Sequence, residues 1–432
     1  MLRDGSNTAR VAYAVGFNSE AAFNRAFKRE YGEPPATWKR KIEAAARVAA
    51  MAREPQPLPI QEVRFTTAKD GTKLAYSIVG EGPPVVKTAN WLNHIEHDWK
   101  SPLWRHWITE FTRDRSLVRY DERGNGLSDW DTPELSLDAF VNDLECVVDE
   151  LKLETFDLLA ISQGAAVAIA YAVRHPERVR HLVICNGYGA GWAVRADPAE
   201  LARREAMLTL TQVGWGADEP TYRQIFTNIY IPEATAEQMG WFNEVQRLSA
   251  SPENAVKLQR VLGALDVRDL LPQVQTPTLV FHSRNDQAVP FSQGEQLAAD
   301  IPGAAFIPLE SRNHILLGNE PAWTMFTELT REFLGRDESE LLRPAAQAAD
   351  RIAYCTSSDG ARIAYAVTGE GFPLVKAPNW ITHLARDRSN PVYRHWIAEC
   401  SREHSFLRTD MSMQMKQQQP EIASAPTAHF AS

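Results

Sequence analysis

Apolar positions recur along the chain with two different periods, and each change of period marks a boundary between segments. In residues 1–50 they follow the spacing of an α-helix, and Gly16 and Ser19 interrupt that pattern once. Ser19 is a suitable N-cap for the second helix, because its hydroxyl can accept a hydrogen bond from a backbone N–H. We therefore predict two short helices joined by a turn.

Residues 61–335 alternate short β-rich runs with longer segments of helical period. This alternation predicts an α/β fold in which helices surround a mostly parallel sheet. About 90 residues separate the strand that ends near Cys185 from the one that starts near Thr278, far more than an ordinary crossover needs. That interval is helical in pattern and rich in aromatic residues, so it predicts a cap at about residues 190–265.

An internal repeat follows this domain. Residues 352–410 match residues 63–121 without gaps at a constant offset of 289 (352 − 63), and 25 of 59 positions are identical. We interpret residues 352–410 as a truncated duplicate of the first third of the α/β domain. Because it ends early, we expect its strands to lack partners and the segment to fold weakly or not at all on its own.

The remaining stretches are connectors and a tail. Residues 51–60 are rich in proline and residues 336–351 are charged, which predicts two linkers. Residues 411–432 are polar and rich in Gln, Ser and Ala, so we predict a disordered tail. The abrupt loss of the repeat at Asp410 suggests a truncated or frame-shifted end.

The net charge of −9 is unevenly distributed: residues 1–53 carry ten Lys/Arg and five Asp/Glu, which gives +5 and leaves −14 elsewhere. A basic head on an acidic body favours DNA as a partner of residues 1–50. The four cysteines are widely separated, which argues against a zinc site or a disulfide framework and predicts a cytoplasmic protein without metal or cofactor. No apolar run approaches the roughly 18 residues of a membrane span, so a membrane partner is not expected.

A serine stands at a junction between a predicted strand and a predicted helix. Residues 156–161 form an apolar run, residues 165–173 are rich in alanine, and Ser162 lies between them. A tight turn at such a junction exposes the serine hydroxyl, and it needs small neighbours such as Ala160 and Gly164. Ser162 is thus a candidate nucleophile, although by itself it could equally cap an ordinary turn.

Two further strand ends carry the partners that an activated serine needs. Asp286 follows the apolar run at residues 278–282, and His314 follows the run at residues 305–309. Alone, Asp286 would be a turn residue and His314 a surface histidine. Together with Ser162 they have the chain order of a nucleophile, an acid and a base at one rim of one parallel sheet. We predict a small-molecule ligand or substrate at that rim.

These motifs resemble the α/β-hydrolase superfamily, and most of all the hydrolase modules fused to bacterial transcriptional regulators or cyclases. The resemblance implies that Ser162 is the nucleophile, that His314 is the general base and that Asp286 orients it. It also implies an oxyanion hole formed by the backbone N–H groups of Gln163 and Trp91. The motifs that carry the resemblance are AISQG, HSRNDQAVP and SRNHILLGNEP.

We interpret two other polar clusters as structural. The segment 121–128, DERGNGLS, resembles the family's loop after the fourth strand, where Arg123 is expected to brace the scaffold. His94, His97 and Asp98 match no strong metal-ligand spacing, so we interpret them as loop residues.

Residues 8–41 resemble the second helix-turn-helix of the AraC-type DNA-binding domain. The resemblance implies a first helix at residues 10–15, a turn at residues 16–17 and a recognition helix at residues 19–31. Asn24 and Arg25 would meet base edges, and Lys28 and Arg29 would meet phosphates. One such unit has a small core, so a helical hairpin that no longer binds DNA is the alternative.

The sequence supports two functions. The first is a serine hydrolase that acts on a small ester or related carbonyl compound. The second is an AraC-type transcriptional regulator whose hydrolase fold senses a ligand. The sequence does not identify the substrate, the DNA site or the oligomeric state.

Overall fold

The structure, a computed structural model, describes residues 19–31, 34–35, 60–217, 221–335, 352–359, 362–377, 384–387 and 393–409. The chain divides into two compact units, residues 1–59 and residues 60–432. The predicted tail, both predicted linkers except Ile60, and the predicted first helix of the head lie outside the described residues.

In the first unit, helix α1 spans Glu20–Tyr31. The Ser19 hydroxyl accepts a hydrogen bond from the Ala22 N–H at 3.2 Å, as a cap should. Phe23 is buried, and its ring lies 5.6 Å from that of Phe27, one helical turn away. The predicted second helix and its N-cap are therefore confirmed.

In the second unit, the described strands form one sheet of 12 strands in the order β1-β2-β4-β3-β5-β6-β7-β8-β9-β10-β12-β11. Strands β3 to β8 pair in parallel, and β2 is antiparallel to β4. The predicted mostly parallel sheet is confirmed. The strands are β1 Arg64–Thr67, β2 Lys73–Val79, β3 Pro84–Lys87, β4 Ser116–Tyr120, β5 Phe156–Ile161, β6 Val179–Cys185, β7 Thr278–Ser283, β8 Ala305–Leu309, β9 Ile352–Thr356, β10 Arg362–Thr368, β11 Phe372–Lys376 and β12 His404–Thr409.

Helices connect these strands, and those between β6 and β7 occupy the interval predicted to be a cap. The described helices are α2 Ile95–Lys100, α3 Arg105–Phe111, α4 Leu137–Glu150, α5 Gly164–Arg174, α6 Trp192–Arg195, α7 Pro198–Gly214, α8 Thr221–Tyr230, α9 Ala236–Ser249, α10 Pro252–Ala264, α11 Phe291–Asp300, α12 Pro321–Leu334, α13 Leu384–Asp387 and α14 Arg394–Cys400, with a 3₁₀ helix at Arg268–Gln273. The cap is α6 to α10. No helix among the described residues is both long enough and apolar enough to cross a bilayer.

The strands near the middle of the sheet are apolar because both of their faces are covered. Every residue of β5 and of β7 is buried, as is every residue of α5 from Gly164 to Ala172. Buried and mostly apolar strands of this kind are what a parallel sheet with helices on both sides requires. The carboxyl ends of β5, β7 and β8 consequently meet at one rim, which is where the candidate residues were predicted.

The expectation that the strands of the repeat lack partners is wrong. Strand β9 pairs antiparallel with β8 through Phe306 and Ile352, so β9 to β12 extend the sheet. Without the repeat, β8 would be an edge strand, and the backbone N–H and C=O groups of an edge strand can pair with an added strand. The open edge of β8 therefore supplies the partner that the repeat lacks within itself.

The repeat also reproduces the pairing of the first copy. The strand order β1-β2-β4-β3 returns as β9-β10-β12-β11, with the same parallel and antiparallel senses. The registers agree at the offset of 289: Arg64 faces Tyr76, and Ala353 faces Tyr365. The two segments therefore share one pairing pattern, and the duplication itself stays an interpretation of the sequence.

Candidate active site

Ser162 occupies a strained turn between β5 and α5. Its φ angle is +56°, in the left-handed region that residues other than glycine rarely adopt. Two backbone hydrogen bonds hold the turn: the Ser162 N–H donates to the Cys185 carbonyl at 3.2 Å, and the Ser162 carbonyl accepts from the Ala165 N–H at 3.1 Å. This is the geometry of a nucleophile elbow, which directs the serine side chain out of the sheet.

The segment after β3 passes so close to this turn that position 164 has no room for a side chain. A Cβ atom at Gly164 would lie 2.5 Å from the Thr88 hydroxyl and 2.9 Å from the Ala89 carbonyl oxygen. Thr88 Oγ1 also donates to the Gly164 carbonyl at 3.2 Å. The glycine thus lets the segment after β3, which leads to Trp91, approach the elbow closely.

Asp286 and His314 are in direct hydrogen-bond contact. His314 Nδ1 lies 2.6 Å from Asp286 Oδ2, and both side chains are buried. Since an ionised carboxylate only accepts hydrogen bonds, Nδ1 carries the proton. The other carboxylate oxygen, Oδ1, accepts from the N–H groups of Ala288 at 2.8 Å and Val289 at 3.1 Å, which fixes the carboxylate plane.

The second imidazole nitrogen, His314 Nε2, is buried and makes no hydrogen bond within the described residues. The structure therefore shows the acid–base contact but no hydrogen bond between His314 and Ser162. Tyr230 holds His314 in place. The backbone N–H of His314 donates to the backbone carbonyl of Tyr230 at 2.7 Å, and the two side-chain rings meet edge to face at 5.2 Å. Tyr230 itself lines the same cavity as Ser162.

That cavity lies between the rim of the sheet and the cap, and its empty space of about 760 Å³ includes a part that is open to solvent. Ser162, Gln163 and Trp91 are all in its wall. Within the described residues, the backbone N–H groups of Gln163 and Trp91 donate to no other group. The structure thus places the two residues predicted to supply oxyanion donors in the wall of the cavity that contains the candidate nucleophile.

Trp91 is also in contact with the cap. Its ring stacks on that of Trp215 at 5.3 Å and 11°, and meets the ring of Phe226 edge-on at 5.6 Å. The Trp215 indole N–H is in turn fixed by the Ala250 carbonyl at 2.9 Å. The cap therefore touches the loop that carries one candidate oxyanion donor.

Sequence reasoning missed Asn186, which directly follows β6. Its φ angle is +52° and its side chain is buried. The amide oxygen accepts from the Ser283 N–H at 2.6 Å, and the amide nitrogen donates to the His314 carbonyl at 2.6 Å. The strand-end rule that selected Asp286 would also have selected Asn186.

Two cap arginines, Arg195 and Arg204, were missed as well, although they line the cavity. Helical period alone does not say which face of a cap helix turns toward the sheet. Glu122 is a third omission: its side chain is buried and lies next to that of Gln163. Burial, followed by the nearby charge of Asp143, raises the pKa of Glu122 to about 8.

Arg123 lies in the scaffold, as expected. Its side chain is 2% exposed, and Nη2 donates to Asp143 Oδ1 at 2.6 Å. Nε lies 2.9 Å from Asp143 Oδ2, so the contact is bidentate, and Nη1 reaches Asp70 Oδ2 at 2.5 Å. These bonds tie the loop after β4 to α4 and to the β1–β2 turn.

His94 is an N-cap of α2, where its Nδ1 accepts from the His97 N–H at 3.3 Å. Across the described ranges, no group of three or more His, Cys, Asp or Glu side chains could hold a metal ion. In the head, Lys28 is exposed and Asn24 is half-buried, whereas the side chains of Arg25 and Arg29 lie outside the described set.

The family follows from a comparison with known proteins. A family model described as alpha/beta hydrolase fold matches residues 99–321, more than half of the 432-residue chain. The chain belongs to that family. A second family model, described as helix-turn-helix domain, matches residues 1–41, in agreement with the predicted head.

Individual relatives match the chain over its hydrolase region. The chain is 25% identical over 240 residues to the AB hydrolase superfamily protein YisY of Bacillus subtilis, covering 55% of this chain and 86% of YisY. It is 24% identical over 242 residues to 3-oxoadipate enol-lactonase 1 of Acinetobacter baylyi, covering 54% and 84%. Among solved structures, an esterase from Exiguobacterium antarcticum superimposes with a TM-score of 0.54 at 24% identity, covering 64% of this chain and 100% of the esterase. That likeness shows the shared fold.

Proposed function

We propose that this protein is a serine hydrolase that acts on a small ester or related carbonyl compound. The observation that carries the proposal is the 2.6 Å contact between His314 Nδ1 and Asp286 Oδ2, which leaves the opposite imidazole nitrogen available as a base. Ser162, on its left-handed turn in the neighbouring cavity, is the group whose proton that base would accept.

The reaction would proceed in two halves. Ser162 Oγ attacks the carbonyl carbon while His314 Nε2 takes the hydroxyl proton, and the N–H groups of Gln163 and Trp91 stabilise the oxyanion. When the C–O bond of the ester breaks, the imidazolium returns the proton to the departing alcohol. A water molecule then hydrolyses the acyl-enzyme by the same steps. Asp286 keeps the proton on Nδ1 and stabilises the transient imidazolium.

The name of one relative supports the same class of chemistry, since that protein is an enol-lactonase and a lactone is a cyclic ester. The family match itself indicates a hydrolase fold, and the serine mechanism depends on the three residues discussed above.

A fluorophosphonate probe tests the proposal, because it reacts with a serine only when a base activates it. We expect covalent labelling of the wild-type chain and none of Ser162→Ala. Ser292→Ala, which removes an exposed serine from α11, is the matched control and should label like the wild type. Absence of labelling in the wild type, or equal labelling of Ser162→Ala, would refute the serine mechanism.

A second function, DNA binding by residues 1–50, has its own support. The helix-turn-helix family model matches residues 1–41, and α1 is a capped helix with an exposed Lys28. We propose that α1 enters the major groove, with Asn24 and Arg25 toward the bases and Lys28 and Arg29 toward phosphates. Regulation of transcription by a ligand bound in the cavity would then combine the two units.

Gel-shift titrations over a salt series test this second proposal on duplexes selected from a random pool. Lys28→Ala should weaken binding to all sequences and reduce the salt dependence, whereas Arg25→Ala should relax sequence preference. Lys69→Ala, an exposed lysine in the hydrolase unit, is the control. Binding that is indifferent to Arg25→Ala and Lys28→Ala would exclude the assigned groove contacts.

A further inference from the structure

The cavity that contains Ser162 has two guanidinium groups in its wall, and both come from the cap. Arg195 ends α6 and Arg204 lies in α7. The remaining wall is mainly aromatic and aliphatic, with Trp91, Tyr230 and Leu262 among its members. No Asp or Glu belongs to the described lining of this cavity.

The two arginines share a single carboxylate, that of Glu200. Arg195 Nη1 lies 3.3 Å and 3.2 Å from the two Glu200 oxygens, and Arg204 Nη2 lies 3.3 Å from Oε1. Charge-assisted hydrogen bonds in a tight ion pair are about 2.7–2.9 Å long. The group as a whole therefore has one positive charge in excess, and its internal contacts are loose.

Burial makes that excess charge significant. The side chains of Arg195 and Arg204 are 12% and 24% exposed, and that of Glu200 is 17% exposed. The Nε atom of Arg195 is buried and has no hydrogen-bond partner among the described residues. Burial also lowers the pKa of Arg195 from its usual value, which reflects an incompletely compensated cation. A buried donor of this kind gains most from an added anion.

The neighbouring ionisable groups do not supply that anion. Tyr188 and Tyr230 also line the cavity, and burial raises the pKa of Tyr230 to about 12 and that of Tyr188 further, so both phenols stay neutral. Asp286 is already bonded to His314 and to two backbone N–H groups. Arg204 additionally donates to the Ala288 carbonyl at 2.8 Å, a neutral acceptor that fixes its position.

We propose that the substrate carries a carboxylate group, which Arg195 and Arg204 bind in the cap while the ester carbonyl lies at Ser162. The inference rests on the proposed hydrolase function and narrows its substrate class to anionic esters with an apolar body. Hydrolysis consumes one water and releases an alcohol and an acid, one of which keeps the additional carboxylate.

Binding measurements on Ser162→Ala test the carboxylate site without requiring turnover. Isothermal titration calorimetry would compare adipate with adipamide, which has the same length but no charge. We expect adipate to bind at least about tenfold more tightly, since a charged hydrogen-bond pair contributes on that scale. Arg195→Gln and Arg204→Gln, each made in the Ser162→Ala background, should abolish the preference, and Arg203→Gln, an exposed neighbour in α7, should retain it.

Glu200→Gln should change the affinity for adipate in the opposite direction to the arginine substitutions. It therefore serves as a control for variants that lose binding because they do not fold. Removing the shared carboxylate should strengthen adipate binding, an outcome that an unfolded variant cannot produce. Equal affinity for adipate and adipamide, or a preference that survives both arginine substitutions, would overturn the inference.

Steady-state kinetics distinguishes a failure of the carboxylate site from a failure of the proposed hydrolase function. Wild-type activity on 4-nitrophenyl hydrogen adipate and on 4-nitrophenyl hexanoate would be compared after correction for spontaneous hydrolysis. Hydrolysis of both esters at equal kcat/KM would support the hydrolase and refute the carboxylate site. Tight adipate binding without hydrolysis of either ester would refute the hydrolase and leave the anion site in place.

Discussion

The side-chain amide of Asn186 donates to the backbone carbonyl of His314 at 2.6 Å, so the residue after β6 positions a residue in the loop that follows β8. The same amide accepts from the Ser283 N–H at the end of β7. One buried side chain thereby connects the ends of β6 and β7 with the loop that follows β8. The connection explains how a loop histidine acquires a fixed place without belonging to a strand.

Replacing Asn186 should lower both stability and activity. Asn186→Ala loses these buried hydrogen bonds and must also keep a φ of +52°, so we expect a loss of about 3 kcal/mol in the free energy of unfolding. Asn186→Gly loses the same bonds without the conformational strain and should be about 1 kcal/mol more stable than the alanine variant. Urea unfolding measures both. Equal stability of the two variants would show that the left-handed conformation carries no cost.

Asp286→Asn should reduce kcat by about 10⁴-fold while the chain stays folded, as expected when an imidazole is held in the wrong tautomer. The asparagine oxygen can still accept from the Ala288 and Val289 N–H groups, but its NH₂ would face His314 Nδ1 and move the imidazole proton to Nε2. Steady-state rates on a 4-nitrophenyl ester measure the loss. Glu310→Gln, which removes an exposed carboxylate, is the control, and a loss of less than tenfold for Asp286→Asn would argue against the assigned role.

Glu122 should make the protein less stable at alkaline pH. Its pKa is raised to about 8 in the folded state from 4.5, because burial disfavours the carboxylate. The unfolded chain therefore releases this proton first, and stability falls as pH rises from about 4.5 to about 8. Glu122→Gln should remove this fall and gain a few kcal/mol over the wild type at pH 9. Urea unfolding at several pH values measures this difference, and Glu154→Gln, which removes an exposed carboxylate, is the control. If the stability of Glu122→Gln fell with pH in parallel with that of the wild type, the prediction would be wrong.

Arg123→Met should destabilise the protein by about 3–5 kcal/mol, because it leaves the buried Asp143 carboxylate without its cation. Arg178→Met breaks a more exposed pair with Asp149 and should cost below about 1 kcal/mol. Combining Arg123→Met with Asp143→Leu should recover much of the loss. Thermal and urea unfolding of the double-mutant cycle give the coupling energy, and additive losses would show that the two side chains do not act as a pair.

The sequence predicted the sheet, the elbow and the strand ends because these depend on local period and on the parallel direction of the strands. Ser162, Asp286 and His314 could be placed on one rim for that reason. The Asp286–His314 contact could be expected but its distance could not, because it depends on the path of two loops. The hydrogen-bond geometry between His314 and Ser162, which that prediction assumed, is absent from the described contacts.

Features that depend on packing between distant segments were not predictable in the same way. Arg195 and Arg204 come from cap helices, and only the folded cap determines which side chains turn toward the sheet. The pairing of β9 with β8 was missed because an open strand edge has no signature in the sequence of the strand that joins it. The DNA contacts assigned to Asn24, Arg25, Lys28 and Arg29 stay predictions.

The stacking of Trp91 on Trp215 has a consequence for the proposed hydrolysis. Trp215 belongs to the cap, so a movement of the cap that opened the cavity would also separate the two indoles. In the proposed mechanism, the access of an ester to Ser162 and the surroundings of one oxyanion donor would then change together.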